Sequence, residues 1–429
     1  MGNRGRTSIA IAAALSLRLL PAAGREPAEV LREAVAKVLA SSQHAVDYTC
    51  VQNTERHYYR PVSRVRPKFC PVIVGESRDP AKVPNLVLEF TDRLRLDVTT
   101  ARSGELYSWA GASRFDDAGI DKIIREGPFG TGAFASFLDM IFQLDVRAFR
   151  FEGDKLVEAV DAMEFSFRVA AKDSHYRVKV DDSWRPTGYF GSVFVDAANG
   201  DVIRLSLETL DPDFGNGNCQ TVSTLDFGTV QIGAEPFLLP IHSRQLFFLA
   251  SGAEIENTTS FTSCREYRGE STIIFAAPSD SAPDPVKAPA RGPVAGGTTF
   301  QLQLLDPIDP RTAAAGDVFR AKLIGTLRDA NKQTLAKTGS IVEGRLKRVQ
   351  IYAKPPVADL VLAPAVVLVE NQRVPLAANR SWTGTAGMSY ILVPRSGERP
   401  AGVFRLRGAN LSLPRGFRSD WRTVAVTGR

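Results

Sequence analysis

The chain is predicted to be mainly β with a few helices. An N-terminal antiparallel sheet curves as a half-barrel around helices on its concave face, and a smaller C-terminal all-β barrel or sandwich follows. Three observations predict this. From Leu86 to Val98 the chain alternates, with Leu86, Leu88, Phe90, Leu94, Leu96 and Val98 on one side and Val87, Glu89, Thr91, Arg93, Arg95 and Asp97 on the other. Such a strand belongs to an antiparallel sheet covered on one side only. The stretch Gly130 to Leu144 places Phe134, Phe137, Leu138, Ile141 and Phe142 at i, i+3, i+4, i+7 and i+8, a wide apolar stripe on a helix. Nearly everything around that helix reads as strand, so its stripe has to cover a face of the sheet.

The elements follow in order. Arg4 and Arg6, the apolar run Ser8 to Leu17 and the small residues Pro21-Ala22-Ala23-Gly24 have the form of an export signal over 1–24. Glu26 to Leu39 is a helix, with Pro27 suited to its first turn and Leu31, Ala34, Val35, Val38 and Leu39 on its apolar face. Asp47 to Tyr59 is a strand. Arg60 to Lys82 reads as a loop with a short strand at Phe69 to Val74. In the alternating strand, Asp92 breaks the pattern and reads as a bulge. Thr100 to Gly104 turns the chain into a returning strand, Glu105 to Trp109. Asp116 to Arg125 is a short helix ended by Gly127-Pro128, and Thr131 is placed to cap the helix that follows.

A meander of strands comes next: Ala148–Phe151, Met163–Val169, Tyr176–Val180, Tyr189–Val195, Val202–Leu207, Thr221–Val230, Phe237–Leu249 and Glu254–Cys264. In the second of these Met163, Phe165, Phe167 and Val169 share a face, and Asn199-Gly200 is a hairpin turn. Residues 276–297 form a proline-rich linker, which separates 25–275 from 298–429. Beyond it, Phe300–Leu304, Val318–Leu327, Ser340–Val349, Ala365–Val369 and Val403–Leu406 read as strands. Ala378–Met388 reads as a loop, and Arg418–Arg429 as a last strand or tail.

Charge supports the division. The chain carries +6 overall, but 277–429 carries +11 and 25–276 carries −8. The basic half suits an anionic envelope surface, or is simply a solvated surface. Four cysteines, Cys50, Cys70, Cys219 and Cys264, behind an export signal point to disulfides, with free buried thiols as the alternative. Proximity in sequence favours Cys50–Cys70 and Cys219–Cys264.

Motifs that carry chemistry are few. The histidines His44, His57, His175 and His242 form no metal spacing, and there is no GxSxG elbow. Gly127-Pro-Phe-Gly130-Thr131-Gly132 before a helix offers free amides to an anion, but it lacks the lysine of a phosphate loop and reads as a plain helix entry. Asp211 to Asn218 has the composition of a calcium loop without its register. Asp116-Asp117 and Asp181-Asp182 read as turn residues, and the Asn257-Thr-Thr sequon carries no weight.

The order of elements in Glu26–Leu39, Leu86–Trp109 and Gly130–Leu144 resembles the periplasmic lipoprotein-carrier and lipoprotein-sorting (LolA-like) half-barrels over about 25–275. Phe300–Pro307, Ala315–Val318 and Lys337–Gly344 weakly resemble conjugation and secretion-channel β-barrels. The first resemblance implies a concave face that holds acyl chains. Trp109, Phe134, Phe137, Leu138, Ile141, Phe142, Phe165 and Phe167 are the candidates to line such a cleft, or else they fill a core. The expected protein is then an exported, periplasmic or secreted, non-enzymatic binder of a lipid or lipid-modified partner. The alternative is a structural or assembly module of the envelope without a small ligand. No cofactor, metal or nucleic acid is expected.

Overall fold

The computed structural model describes residues 25–425 apart from 45–47, 63–68, 79–84, 102–103, 113–114, 116–119, 125, 135, 146–147, 181–182, 211–216, 267–293, 330, 371, 382–393 and 409–410. The export signal, both aspartate pairs, most of the calcium-like loop, most of the linker and much of Ala378–Met388 lie outside the described residues.

The N-terminal sheet is antiparallel throughout. Its strands are β1 (Tyr48–Pro61), β2 (Leu86–Ala101), β3 (Gly104–Trp109), β4 (Arg150–Val157) and β5 (Val160–Val169). The hairpin β6 (Arg177–Val180) and β7 (Ser183–Pro186) stands apart. The sheet continues with β8 (Tyr189–Asp196), β9 (Val202–Thr209), β10 (Asn218–Ile232), β11 (Glu235–Leu249) and β12 (Glu254–Glu266). Neighbours run β4-β5-β8-β9-β10-β11-β12-β1-β2-β3, so the meander returns and lays its last strand beside its first. Helix α1 (Pro27–His44) buries Val30, Ala34 and Val38, spaced by four, and packs on β8 and on the inner helical segment.

Three expectations are corrected. The segment expected as loop and short strand is a helix, α2 (Cys70–Arg78), whose Ile73 packs with Cys219 and Phe248 on the sheet. The disulfides are Cys50–Cys264 and Cys70–Cys219, not the sequence-near pairs. The reason is topological: β1 and β12 are neighbours at the closure of the meander, and the register slip between Thr49 and Val51 sets Cys50 against Cys264. The bulge of β2 lies opposite Tyr58/Tyr59, where Glu89 is skipped, and not at Asp92. Asp92 faces inward because Arg56 sits directly across from it.

The C-terminal strands are β13 (Thr299–Leu304), β14 (Val318–Ile324), β15 (Leu327–Arg328), β16 (Thr334–Ala336), β17 (Ile341–Tyr352), β18 (Val357–Val369), β19 (Gln372–Pro375), β20 (Ala378–Arg380), β21 (Gly402–Arg407) and β22 (Arg418–Thr423). They run β20-β22-β13-β14-β17-β18-β21. An Arg380 N–H to Ala401 O bond brings β20 back towards β21, so the sheet closes on its own apolar core of Leu302, Leu323, Leu360 and Trp421. Strand β18 begins well before the expected Ala365–Val369, with Pro364 at a register slip where Ala365 is skipped. The two sheets are joined. Gln350, Ile351 and Tyr352 of β17 pair with Asp92, Thr91 and Phe90 of β2, and Ala315 exchanges backbone bonds of 2.8 Å with Arg93 and Arg95.

Each disulfide closes a long loop, of sequence separation 214 and 149. In the chain-entropy treatment each is worth about 5 kcal/mol when the other is absent. Non-reducing peptide mapping is expected to recover the Cys50–Cys264 and Cys70–Cys219 peptides, and Cys50→Ser with Cys264→Ser is expected to lower stability by several kcal/mol in chemical denaturation. Recovery of a Cys50–Cys70 peptide contradicts the topology.

Candidate functional site

The concave face is covered by a plug. It is α3 (Ser136–Asp139) followed by a π-helical turn, Met140–Asp145, and not one regular helix from Gly130 capped by Thr131. Gly132 has φ +98°, so the chain enters the helix late, and the Phe137 N–H bonds to Gly132 O at 2.9 Å. The wider turn brings Met140 inward beside Ile141 and Phe142. Phe134, Phe137, Leu138, Ile141, Phe142, Phe165 and Phe167 are all buried in one apolar cluster with Leu96, Val98 and Leu205. Trp109 lies at the margin of that cluster, partly buried. The gap left beside the plug, between Val38, Tyr48, Phe134, Leu138, Phe227 and Leu239, is about 20 Å³. That is room for about one water and not for an acyl chain.

Polar contacts pin the plug at both ends. At its start the Glu105 carboxylate accepts from the Gly132 N–H (2.7 Å) and the Phe134 N–H (2.8 Å). The anion that the glycine-rich segment invites is therefore the chain's own. Tyr107 donates its hydroxyl to the same carboxylate; burial first, then the Glu105 charge, push its phenol well above the ordinary range. At its end the buried Asp145 accepts from the His175 N–H (2.8 Å) and the Tyr189 hydroxyl (2.9 Å), and the His175 ring adds a third contact.

Ahead of the plug, residues 126–132 cross the concave face as a strap. Arg56 donates to Glu126 O (2.8 Å) and forms a bidentate pair with Asp92 at 2.7 Å for each bond. Burial opposes the Arg56 charge, and the Asp92 carboxylate outweighs it, so its pKa is raised. Asn257 donates to Pro128 O at 3.1 Å, while its buried Oδ1 has no partner. A Cβ at Gly130 would stand 2.2 Å from Gln245 Nε2, so a larger residue there would have to push the Gln245 amide aside. Beneath it is a buried polar belt that includes Gln52, Thr54, Ser223, Ser243, Gln245, Asn257 and Thr259. The concave face is thus graded, apolar under the plug and polar under the strap.

A cavity of about 810 Å³ opens where the half-barrel meets the C-terminal sheet, with Arg56, Tyr58, Trp109, Lys347 and Tyr352 among its walls. Trp109 therefore belongs to this seam as much as to the plug. His57 is half-buried beside Glu55, Nε2 to Oε1 3.1 Å, and His242 is exposed. Among the described residues no cluster of histidine, cysteine and carboxylate side chains is set to hold a metal. Sequence reasoning missed Glu105, Arg56 and Asp92. The available signal was Asp92, a charge where alternation demanded an apolar residue.

No protein-family model matches the chain, and no curated protein matches it. Among solved structures the chain is similar to a LolA superfamily protein from Nitrosomonas europaea, at 9% identity over 58% of this chain and 97% of that one, with TM-score 0.25. It is also similar to a Vibrio parahaemolyticus domain named for outer membrane lipoprotein sorting, at 11% identity over 56% of this chain and 94% of that one, with TM-score 0.26. A DUF1329 family protein from Desulfovibrio piger matches at 9% identity over 56% and 94%, with TM-score 0.26. None of the three is named as a conjugation or secretion-channel barrel, so that likeness of the C-terminal strands gains no support.

Replacing Glu105 by Ala leaves the Gly132 and Phe134 amides without their acceptor, at a cost of about 1–3 kcal/mol each. Hydrogen exchange is expected to quicken in 130–145 well before it quickens in β8 to β12. Equal quickening everywhere would show that Glu105 does not hold the plug.

Proposed function

We propose that this is an exported binding protein of the bacterial cell envelope that holds a lipid or lipid-modified partner between the curved sheet and its inner helices. Its role is binding, not catalysis. The observation that carries the reading is how the concave face is closed. The plug is a short, partly π-helical segment pinned by Glu105 and Asp145 at its ends, over a sheet face that is apolar in its own right. Displacing it exposes a greasy trough, with the polar belt and Arg56 at the adjoining end to meet ester, amide or headgroup oxygens.

Magnitudes say which ligand can do this. Exposing Phe134, Phe137, Leu138, Ile141 and Phe142 costs roughly 1.5–3 kcal/mol each, about 8–15 kcal/mol together. A buried acyl chain returns about 0.8 kcal/mol per methylene, so one long chain roughly breaks even. Two or more chains on one partner win. That favours a multiply acylated molecule over a free fatty acid.

Export to an oxidising compartment is supported by the two disulfides and by the form of residues 1–24. Among the described residues no helix is long and apolar enough to cross a membrane. The +11 of residues 277–429 supports attraction of the C-terminal sheet to an anionic envelope component. The small size of the gap beside the plug, about 20 Å³, favours a second reading, a structural module whose interior stays filled.

Mass spectrometry of organic extracts from protein purified out of its native envelope is expected to find acylated species. Delipidated protein is expected to take up a fluorescent diacyl lipid more tightly than a single-chain fatty acid. If the extract is empty and no uptake occurs, the structural reading stands in its place.

A further inference from the structure

The connection between β1 and β2 carries a surface that neither the plug nor the strap uses. Helix α2 packs through Ile73 against Cys219 and Phe248, with Val222 and Leu246 beside them. Along β10 and β11, Val222 and Leu246 alternate with Ser223 and Gln245 of the concave polar belt, so α2 lies on the convex side of the sheet. The Cys70–Cys219 disulfide ties the start of the helix to β10.

What this helix turns outward is apolar. Phe69, at its entry, is 84% exposed, the highest value for a large apolar side chain among the described residues. Its backbone is held: Phe69 O accepts from the Val72 N–H at 2.9 Å and the Ile73 N–H at 3.3 Å, and the disulfide is one residue on. Val72, three residues later, shares its side of the helix and is 46% exposed. Val62, at the other foot of the connection, is 52% exposed. Apolar side chains scattered singly on a surface are ordinary. Three within eleven residues, one of them an aromatic ring set beside a covalent tether, mark a contact surface. Charge says what it contacts. Residues 62–85 hold five basic and two acidic residues, +3, inside a unit that carries −8, and no acidic residue occurs from Val62 to Gly75. Of the carboxylates nearest α2, Glu208 on β9 is taken by Arg78 at 2.6 Å, and Glu76 has a partner as well. An apolar protein partner accounts for the exposed side chains but not for the local excess of cations. An anionic bilayer accounts for both.

We propose that the outer face of α2, centred on Phe69 and Val72, docks on an anionic lipid bilayer. The two side chains enter the boundary between headgroups and acyl chains, and the basic excess of the connection is drawn to the lipid phosphates. The contact is interfacial, because nine residues of helix are too short to span. It lies on the opposite side of the sheet from the plug and does not depend on the trough opening.

The test sediments the exported full-length protein with vesicles of phosphatidylglycerol or of phosphatidylcholine. Binding to phosphatidylglycerol is expected to be at least tenfold tighter and to weaken as salt is added. Phe69→Ser with Val72→Ser is expected to weaken it at least tenfold at unchanged melting temperature, since both side chains are exposed. Leu156→Ser, at a position 73% exposed on another strand, is expected to change nothing. Phe69→Trp is expected to add a fluorescence that phosphatidylglycerol with brominated acyl chains quenches. Binding that survives the double substitution in full would assign the lipid contact to the basic C-terminal sheet or to the trough and sink this surface. Equal binding to phosphatidylcholine would overturn the charge selection, and no binding to either vesicle would overturn the bilayer. A dimer in analytical ultracentrifugation that the double substitution abolishes, without vesicle binding, would make this face an interface between copies of the chain instead.

Discussion

An open sheet that curves around one concave face leaves that face to be covered. Everything distinctive in this protein follows from how the covering is done. Besides α1, the helices that pack in the apolar cluster among the described residues are short, Ile120–Ile123 and Ser136–Asp145, and they cannot hold themselves in place. A helix this short is marginal by itself. The position of the plug is set by tertiary contacts: apolar burial along its length, and carboxylates at its ends that collect backbone amides and hydroxyls. Glu105 comes from β3 and Asp145 from the plug itself, so the pins join the plug to distant parts of the chain.

The grading of the concave face has an energetic meaning. Buried hydroxyl and amide groups are costly unless they find partners. Here Thr54 meets Thr259 at 2.9 Å, Gln245 meets Ser223 at 3.4 Å, and strap carbonyls meet Arg56 and Asn257. The backbone of residues 126–132 therefore does for the polar belt what the phenylalanines do for the apolar end. Gly127 and Gly130 are where the strap comes close to side chains of the sheet, Tyr58 and Gln245. A polar belt inside a sheet is a poor way to gain stability, because each of its groups must be matched by a partner.

The C-terminal sheet closes the same end of the half-barrel. Its strand β17 continues the N-terminal sheet through β2, and Arg395, just ahead of the 3-10 turn Ser396–Glu398, reaches the strap. The seam thus gathers the pieces with opposite net charge and leaves an open volume at the place where Arg56, Trp109 and the strap meet.

The fold was largely legible from periodicity. The alternation of Leu86–Val98 and of Met163–Val169 and the apolar stripes of 26–39 and 130–144 each act over a few residues, where side-chain period translates directly into burial. Those features determined a one-sided antiparallel sheet around helices. What the sequence could not carry were the meetings between distant positions. Cys50 with Cys264, Cys70 with Cys219, Arg56 with Asp92 and Glu105 with the amides of Gly132 and Phe134 are decided by which strands become neighbours when the meander closes. Periodicity says which way a side chain points; only the closed sheet says what it points at. The same distinction explains the interior. Phe134, Phe137 and Phe142 were recognisable as buried, but whether burial leaves a cleft or a gap of about 20 Å³ depends on the π-helical turn Met140–Asp145, which no local pattern announces.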